Sequence, residues 1–131
     1  MALICLGIES TAHTFGVGIA RDDGEILSNV NKVFRSPTGG IRPFEASEHH
    51  YNHAIEALEE ALKVAGIGLE DVDLIGFSRG PGLGTTLLVG AVVARSLAAE
   101  LGVPLVGVNH PVAHVEIGRL LTRAEDPLVV F

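Results

Sequence analysis

Between residues 2 and 34 the sequence reads as three strand runs, the first of them apolar, separated by two very short connections. The runs cover residues 2–8, 15–20 and 25–34. The connections are Glu9-Ser10-Thr11-Ala12-His13-Thr14 and Asp22-Asp23-Gly24. Links this short join antiparallel neighbours, because a parallel partner needs a crossover of about a dozen residues or more. Asp-Asp-Gly is hairpin chemistry, with glycine free to take the positive φ of a tight turn. The opening segment therefore predicts a three-stranded antiparallel meander, and the rest of the chain must pack on it.

Past Ser36-Pro37-Thr38-Gly39-Gly40 the period changes. Over residues 44–65, Ala46, His50, Ala54, Ala57, Leu58, Ala61, Leu62 and Ala65 recur at helical spacing. Gly66 and Gly68 stop that helix. Residues 73–78 read as a fourth strand and 85–101 as a second long helix ended by Gly102. Residues 103–108 read as a fifth strand, 110–121 as a third helix, and 128–131 as the start of one more strand. The order is β-β-β-α-β-α-β-α. Right-handed crossovers add strands four and five parallel to the first. The expected fold is an α/β, ribonuclease H-like lobe: a mixed five-stranded sheet in the order 3-2-1-4-5 with helices on both faces. Actin, sugar kinases and heat-shock chaperones pair two such lobes around a nucleotide. Residues 1–131 read as one such lobe, without repeat or linker.

Composition narrows the function. At 131 residues and 47% hydrophobic, the chain has enough apolar material for one sizeable core. A net charge of -7, with 9 dispersed Lys and Arg, argues against a free-standing nucleic-acid binder, since phosphate contacts need clustered cations. The single Cys5 cannot form an internal disulfide and reads as core packing in a cytoplasmic protein. No apolar run reaches the ~18 residues of a membrane span, and the N-terminus begins directly in a strand, without a basic leader.

Four stretches can carry chemistry. In Asn109-His110-Pro111-Val112-Ala113-His114-Val115-Glu116, Pro111 reads as the start of a helix capped by Asn109 or His110. His110 and His114 then share one helix face at the end of a strand, where open α/β folds place their sites. Neutral imidazoles there suit zinc, iron or nickel; the same spacing also fits a polar pair with backbone partners. A zincin is excluded, because Pro111 stands where that motif needs Glu. In the first hairpin, Ser10, Thr11, Thr14, His13 and free amides can hold phosphate oxygens, or form an ordinary polar turn. Gly80-Pro81-Gly82-Leu83-Gly84-Thr85-Thr86 lies between strand and helix but lacks the lysine of a P-loop. It serves equally as a tight turn for close packing. His49 and His53 are also four apart, but early in a long helix, where a solvated or lobe-facing role is expected; His50 falls on the apolar face and reads as a satisfied core histidine.

Taken together, Gly7-Ile8-Glu9-Ser10-Thr11-Ala12-His13-Thr14, Ser78-Arg79-Gly80-Pro81-Gly82-Leu83-Gly84 and Gly107-Val108-Asn109-His110-Pro111-Val112-Ala113-His114-Val115-Glu116 carry a resemblance. Ile41-Arg42-Pro43-Phe44-Glu45-Ala46-Ser47-Glu48-His49-His50 agrees. The chain resembles the N-terminal part of the archaeal and eukaryotic branch of the universal tRNA threonylcarbamoyladenosine synthase family. That branch is the catalytic subunit of the KEOPS complex, its bacterial counterpart is TsaD, and older usage calls it O-sialoglycoprotein endopeptidase. The resemblance implies transfer of a threonylcarbamoyl group from threonylcarbamoyl-adenylate to the adenosine 3′ of the anticodon. It implies one iron or zinc ion on His110 and His114, and ATP or adenylate near Glu9, Ser10, Thr11 and His13. It also implies tRNA bound through the complete complex, with other KEOPS subunits docked on the helices over 44–65 and 85–101. Family members run to well over twice this length, and their second half supplies an aspartate to the metal. The chain is therefore expected to be one lobe, inactive and weak in metal binding by itself, and able to form a homodimer. A TsaB-type scaffold would share the lobe but lack the histidine pair. A metalloprotease would need a water-activating Glu between those histidines.

Overall fold

The structure, a computed structural model, describes residues 2–125. The strand expected over 128–131 lies outside the described residues. The elements follow the expected order: β1 (Ile4–Glu9), β2 (Thr14–Arg21), β3 (Ile26–Val33), α1 (Pro43–Ala65), a 3₁₀ turn (Leu69–Asp71), β4 (Leu74–Gly80), α2 (Gly84–Leu101), β5 (Leu105–Asn109) and α3 (His110–Thr122). The sheet order is β3-β2-β1-β4-β5, with β1 antiparallel to β2, β2 to β3, and β1, β4 and β5 parallel. This is the ribonuclease H-like topology that the two short hairpins and two helical crossovers predict.

One face of the sheet makes the core. Leu6, Ile8, Phe15, Val17, Ile19, Val30 and Ile75 are buried on it, facing Ala54, Ala57, Ala61, Ala94 and Ala98 of α1 and α2. Alanine stripes let the helices sit close to the sheet. Each large side chain so buried contributes roughly 1.5–3 kcal/mol. The helices stop where their glycines turn left-handed, Gly66 at φ 71 and Gly102 at φ 67. By length and composition alone α2 is apolar enough to cross a membrane, with a mean hydropathy of 1.3 over 18 residues. In the fold its Thr86, Gly90, Ala94 and Ala98 are buried, the pattern of a helix resting one face on a sheet.

The second face is different. Strand register aligns Asn29, Gly18, Gly7, Gly76 and Val106 in one row across all five strands. A second row pairs Asn31 with Gly16 and Gly16 with Glu9. Side chains built at Gly7, Gly18 or Gly76 would meet nothing closer than 3.8 Å, so no described neighbour demands glycine there. Their effect is to deepen a groove of about 540 Å³ between the sheet and α3. The far end of α3 reaches the β2–β3 hairpin, where Leu120 lies against Gly24.

The parallel alignment brings three connections to one end of the sheet: the turn after β1, the loop after β4 and the start of α3 after β5. The first two interlock. The Leu83 amide donates to the Thr11 carbonyl at 2.8 Å. A Cβ on Gly82 would lie 2.6 Å from that carbonyl oxygen and 3.0 Å from Thr11 Cα. Glycine at 82 is thus set by loop-to-loop approach, the packing role among those the sequence allowed. Gly82→Ala is expected to cost about 1–3 kcal/mol, as overpacking does, because the obstruction is backbone and cannot rotate away. Urea denaturation checks this; an unchanged midpoint would contradict it.

His50 is fully buried in α1. Burial lowers its pKa below 6.5, outweighing the upward pull of its Ala12 hydrogen bond and of Glu9, and burial first, then His53 and His50, lowers that of His49. The unfolded chain then binds more protons than the folded one between those lowered values and about 6.5. Stability is therefore expected to be full above that window, to decline as pH falls through it, and to level off below it. Replacing both residues by Gln should flatten the dependence in calorimetry; an identical pH profile would count against it.

Candidate functional site

The histidine pair is built by its helix start. Asn109 is the N-cap, its side-chain Oδ1 accepting from the Val112 amide at 3.1 Å, and Pro111 fills the first turn. Asn109, not His110, therefore caps the helix, and His110 and His114 project from successive turns. Their Nε2 atoms lie 3.1 Å apart, with the rings edge to face. Two nitrogens each ~2.0–2.1 Å from one ion would be separated by about 2.8–3.0 Å in octahedral and about 3.3–3.4 Å in tetrahedral geometry. The spacing fits a shared cation. It fits equally a single proton, carried on one Nε2 and donated to the other, and a metal ion would take that proton's place. No third His, Cys, Asp or Glu completes a metal-binding group among the described residues.

The β1–β2 turn lies beside the pair. Two adjoining depressions are both lined by Glu9, Asn31, His110 and His114. The outer one adds Thr11, Ala12, His13 and Thr14. Glu9 is the carboxylate lining both; its Oε1 accepts from the Thr11 amide at 2.7 Å and also from the Thr11 hydroxyl. Three successive carbonyls of the turn are held by three different elements. Thr11 accepts from the Leu83 amide, Ala12 from His50 Nε2 at 2.7 Å, and His13 from the Phe34 amide at 2.7 Å. A peptide N–H points opposite to the preceding carbonyl. The Ala12 and His13 amides are thereby turned away from these anchors, and neither donates to an acceptor among the described residues.

Four of the substrate-facing residues expected from sequence need sorting. Glu9, Thr11 and His13 line the depression beside the histidine pair. Ser10 is a correction. Its side chain is fully buried on the core side, against Gly90 of α2, where its hydroxyl has no partner. Ser10 contributes an amide, which donates to Ser78 Oγ at 3.0 Å. Alternation explains this: Ser10 continues the inward phase of Leu6 and Ile8 in β1. Asn29 and Asn31 line the groove and were not singled out from sequence. The signal was present, since both are exposed polar residues alternating with buried Ser28 and Val30.

His49 and His53 stack on one another at 4.3 Å and take the hydrogen bonds of a polar cluster: His49 Nδ1 to His50 Nδ1 at 2.9 Å, and His53 Nδ1 donating to the His49 carbonyl at 2.7 Å. His50 is the satisfied core histidine that its apolar face predicts.

Residues 25–131 match the family described as TsaD: tRNA N6-adenosine threonylcarbamoyltransferase. A relative of that name from Thermofilum pendens is 56% identical over 130 residues, covering 99% of this chain and 39% of the relative. Another, from Methanopyrus kandleri, is 57% identical over 124 residues, covering 94% and 36%. A Thermoplasma volcanium relative, named a probable bifunctional tRNA threonylcarbamoyladenosine biosynthesis protein, is 45% identical over 129 residues, covering 98% of this chain and 24% of its own. The chain thus spans under two-fifths of the length of these relatives. Among solved structures, YeaZ from Pseudomonas aeruginosa superposes with a TM-score of 0.70 at 21% identity, covering 92% of this chain and 49% of that one; this likeness is one of fold. With β3, both helical crossovers and the histidine helix all inside the matched region, the chain belongs to the TsaD family of tRNA N6-adenosine threonylcarbamoyltransferases.

Proposed function

We propose that this chain is the N-terminal lobe of an enzyme that transfers a threonylcarbamoyl group from threonylcarbamoyl-adenylate to the adenosine 3′ of the anticodon in tRNA, with His110 and His114 holding one iron or zinc ion. The observation that carries the reading is the 3.1 Å Nε2–Nε2 approach, in a depression that also gathers Glu9, Asn31 and the β1–β2 turn. When bound, such an ion supplies Lewis acidity to a carbonyl oxygen. The chain's own residues bind and orient. The Ala12 and His13 amides offer donors to phosphate or carboxylate oxygens, and Glu9 fixes Thr11 by accepting from its amide and its hydroxyl. The two amides are the donors that an anionic, oxygen-rich adenylate would use, and holding such a molecule in a reactive pose is itself a large part of catalysis.

A metalloprotease reading has little support, because no Glu lies between His110 and His114 to activate water. A TsaB-type scaffold shares the fold but, as read from sequence, not the histidine pair. The protein is cytoplasmic on this reading, and tRNA reaches it through the complete complex, since the lobe's net charge is -7.

In the complete protein, His110→Ala and His114→Ala should each weaken metal binding by more than the ~10–100-fold that follows loss of an outer hydrogen-bond partner. Metal analysis after chelation and refilling with Fe²⁺ or Zn²⁺ measures this. An unchanged metal content in the double alanine variant overturns the assignment. By themselves residues 1–131 offer two neutral ligands, short of the four to six an ion takes. They also place those ligands at a helix start whose partial charge is positive. Residues 1–131 are expected to bind metal weakly and to leave a tRNA transcript unmodified without added subunits. Tight stoichiometric iron or zinc would contradict this.

The partner surface is proposed on α1 and α2, where Phe44, Tyr51, Ile55, Leu88 and Val92 are all more than half exposed. Such apolar exposure marks association surfaces. Other KEOPS subunits would dock there, and a homodimer would form in their absence. Sedimentation at rising concentration should show a dimer that Tyr51→Glu with Leu88→Glu abolishes; a strict monomer throughout would refute it.

A further inference from the structure

We propose that His50 is a positioning residue: held in its neutral Nε2–H form, it fixes the Ala12 carbonyl and so aims the His13 amide into the depression beside His110 and His114. The proposal rests on the reading of the β1–β2 turn as part of the site.

The hydrogen bonds fix every proton in the chain of contacts. The Ala12 carbonyl can only accept, so His50 Nε2 carries the hydrogen across the 2.7 Å contact. In neutral His50 that leaves a lone pair on Nδ1. The atom 2.9 Å from it, His49 Nδ1, must then be the donor. His49 is held in turn by stacking on His53 at 4.3 Å and by the ring of Phe34 at 5.7 Å. Phe15 packs against His50 with ring centroids 5.9 Å apart. His50 therefore cannot rotate, and it cannot tautomerise without placing two acceptors or two donors face to face.

A second proton on His50 would go to Nδ1 and oppose the His49 Nδ1–H. The titratable groups near it are His49 and His53 on α1, Glu9 at the end of β1 and His13 in the turn. Burial favours the neutral ring over the pull of Glu9. Geometry and burial agree on the same state.

The consequence passes through one peptide plane. The Ala12 carbonyl points at α1, under the core face, so the His13 N–H points to the other side. There Ala12 and His13 line the depression with Asn31, His110 and His114. The neighbouring plane is set in the same way by the Leu83 amide on Thr11. Leu83 is backbone and insensitive to pH; His50 is the side chain in this set and the one that can be changed alone.

Nitrogen-resolved NMR of the His50 ring tests the geometry without reference to catalysis. At pH 7 the ring should be the neutral Nε2–H tautomer, and it should resist protonation below pH 6.5. When it does protonate, the Ala12 and His13 amides should move with the same midpoint. An Nδ1–H tautomer, or turn amides that ignore the His50 titration, overturns the proposal. In the complete protein assembled for activity, His50→Leu should lower kcat on the order of 10²-fold, the size of effect that misplacement by an ångström produces, with metal content unchanged. His50→Gln, which keeps an N–H near the Nε2 position, should recover most of that loss and remove the acid-side fall of kcat that coincides with the NMR midpoint. Equal rates in the Leu and Gln variants at matched stability, or an acid limb that survives in Gln, overturns it. Should the wild-type protein fail to modify tRNA, or hold its metal without His110, the functional reading fails while the ring and amide result still decides the role of His50.

Discussion

Three consecutive carbonyl groups, those of Thr11, Ala12 and His13, accept hydrogen bonds from the β4–α2 loop, from α1 and from the residue after β3. The rest of the site depends on that arrangement. A six-residue polar hairpin turn would ordinarily be a soft element, with conformational entropy to spare. Here each of three peptide planes is oriented by a different part of the fold. The cost falls on the sequence at Gly82, which must lack a side chain for the loop to come close enough. It falls also on His50, a polar ring placed in an alanine stripe where apolar packing alone would favour another residue. A buried imidazole is tolerable because both its nitrogens have partners.

The two faces of the sheet divide the work. The face toward α1 and α2 is closed, apolar and responsible for stability. The opposite face carries a row of glycines between Asn29 and Val106, and among the described residues only α3 crosses it. Glycine in strand interiors weakens a sheet and commonly marks close approach of another group. Side chains built at Gly7, Gly18 or Gly76 would make only ordinary contacts, none closer than 3.8 Å, so the effect of these glycines is on shape. They leave the groove open beneath Ala113, His114 and Ile117 of α3. Because β1, β4 and β5 are parallel, this groove ends where their C-terminal connections gather, which is the general location of sites in open α/β sheets.

Much of this was legible in the sequence, for identifiable reasons. The hairpins announced themselves through Asp22-Asp23-Gly24 and the brevity of the first turn. The helical face of α1 was readable down to His50 because alanines and one histidine kept a strict period. The histidine pair was readable from Pro111 and a four-residue spacing. What was hidden depended on register and on loop-to-loop contact. Ser10 reads as a turn residue by type, but its phase in β1 sends it to the core. Asn29 and Asn31 gain meaning only when β3 is aligned with Gly18 and Gly16 of β2 and α3 lies over that face. The link from His50 to Ala12 joins residues 38 apart through a carbonyl, and a carbonyl has no sequence signature.

The start of α3 poses an electrostatic question that the site itself answers. A helix N-terminus presents free N–H groups and partial positive charge, a setting that favours anions over cations. His110 and His114 nonetheless bring two imidazole nitrogens to that place. A lone cation there would be opposed by the helix and met by ligands with no charge of their own. An anion alone would ignore the imidazoles. On the proposed function the two would balance each other: a cation on the imidazoles, and an anionic group beside it that answers the helix start and the Ala12 and His13 amides, which have no acceptor among the described residues. The proposed adenylate brings a phosphate and a carboxylate in one molecule. On that proposal the site would gain affinity for the ion when the anion is present, and for the anion when the ion is present. Thermodynamic linkage makes that coupling reciprocal. It follows from charge and geometry at the two strand ends, with the pinned turn on one side and the capped helix on the other.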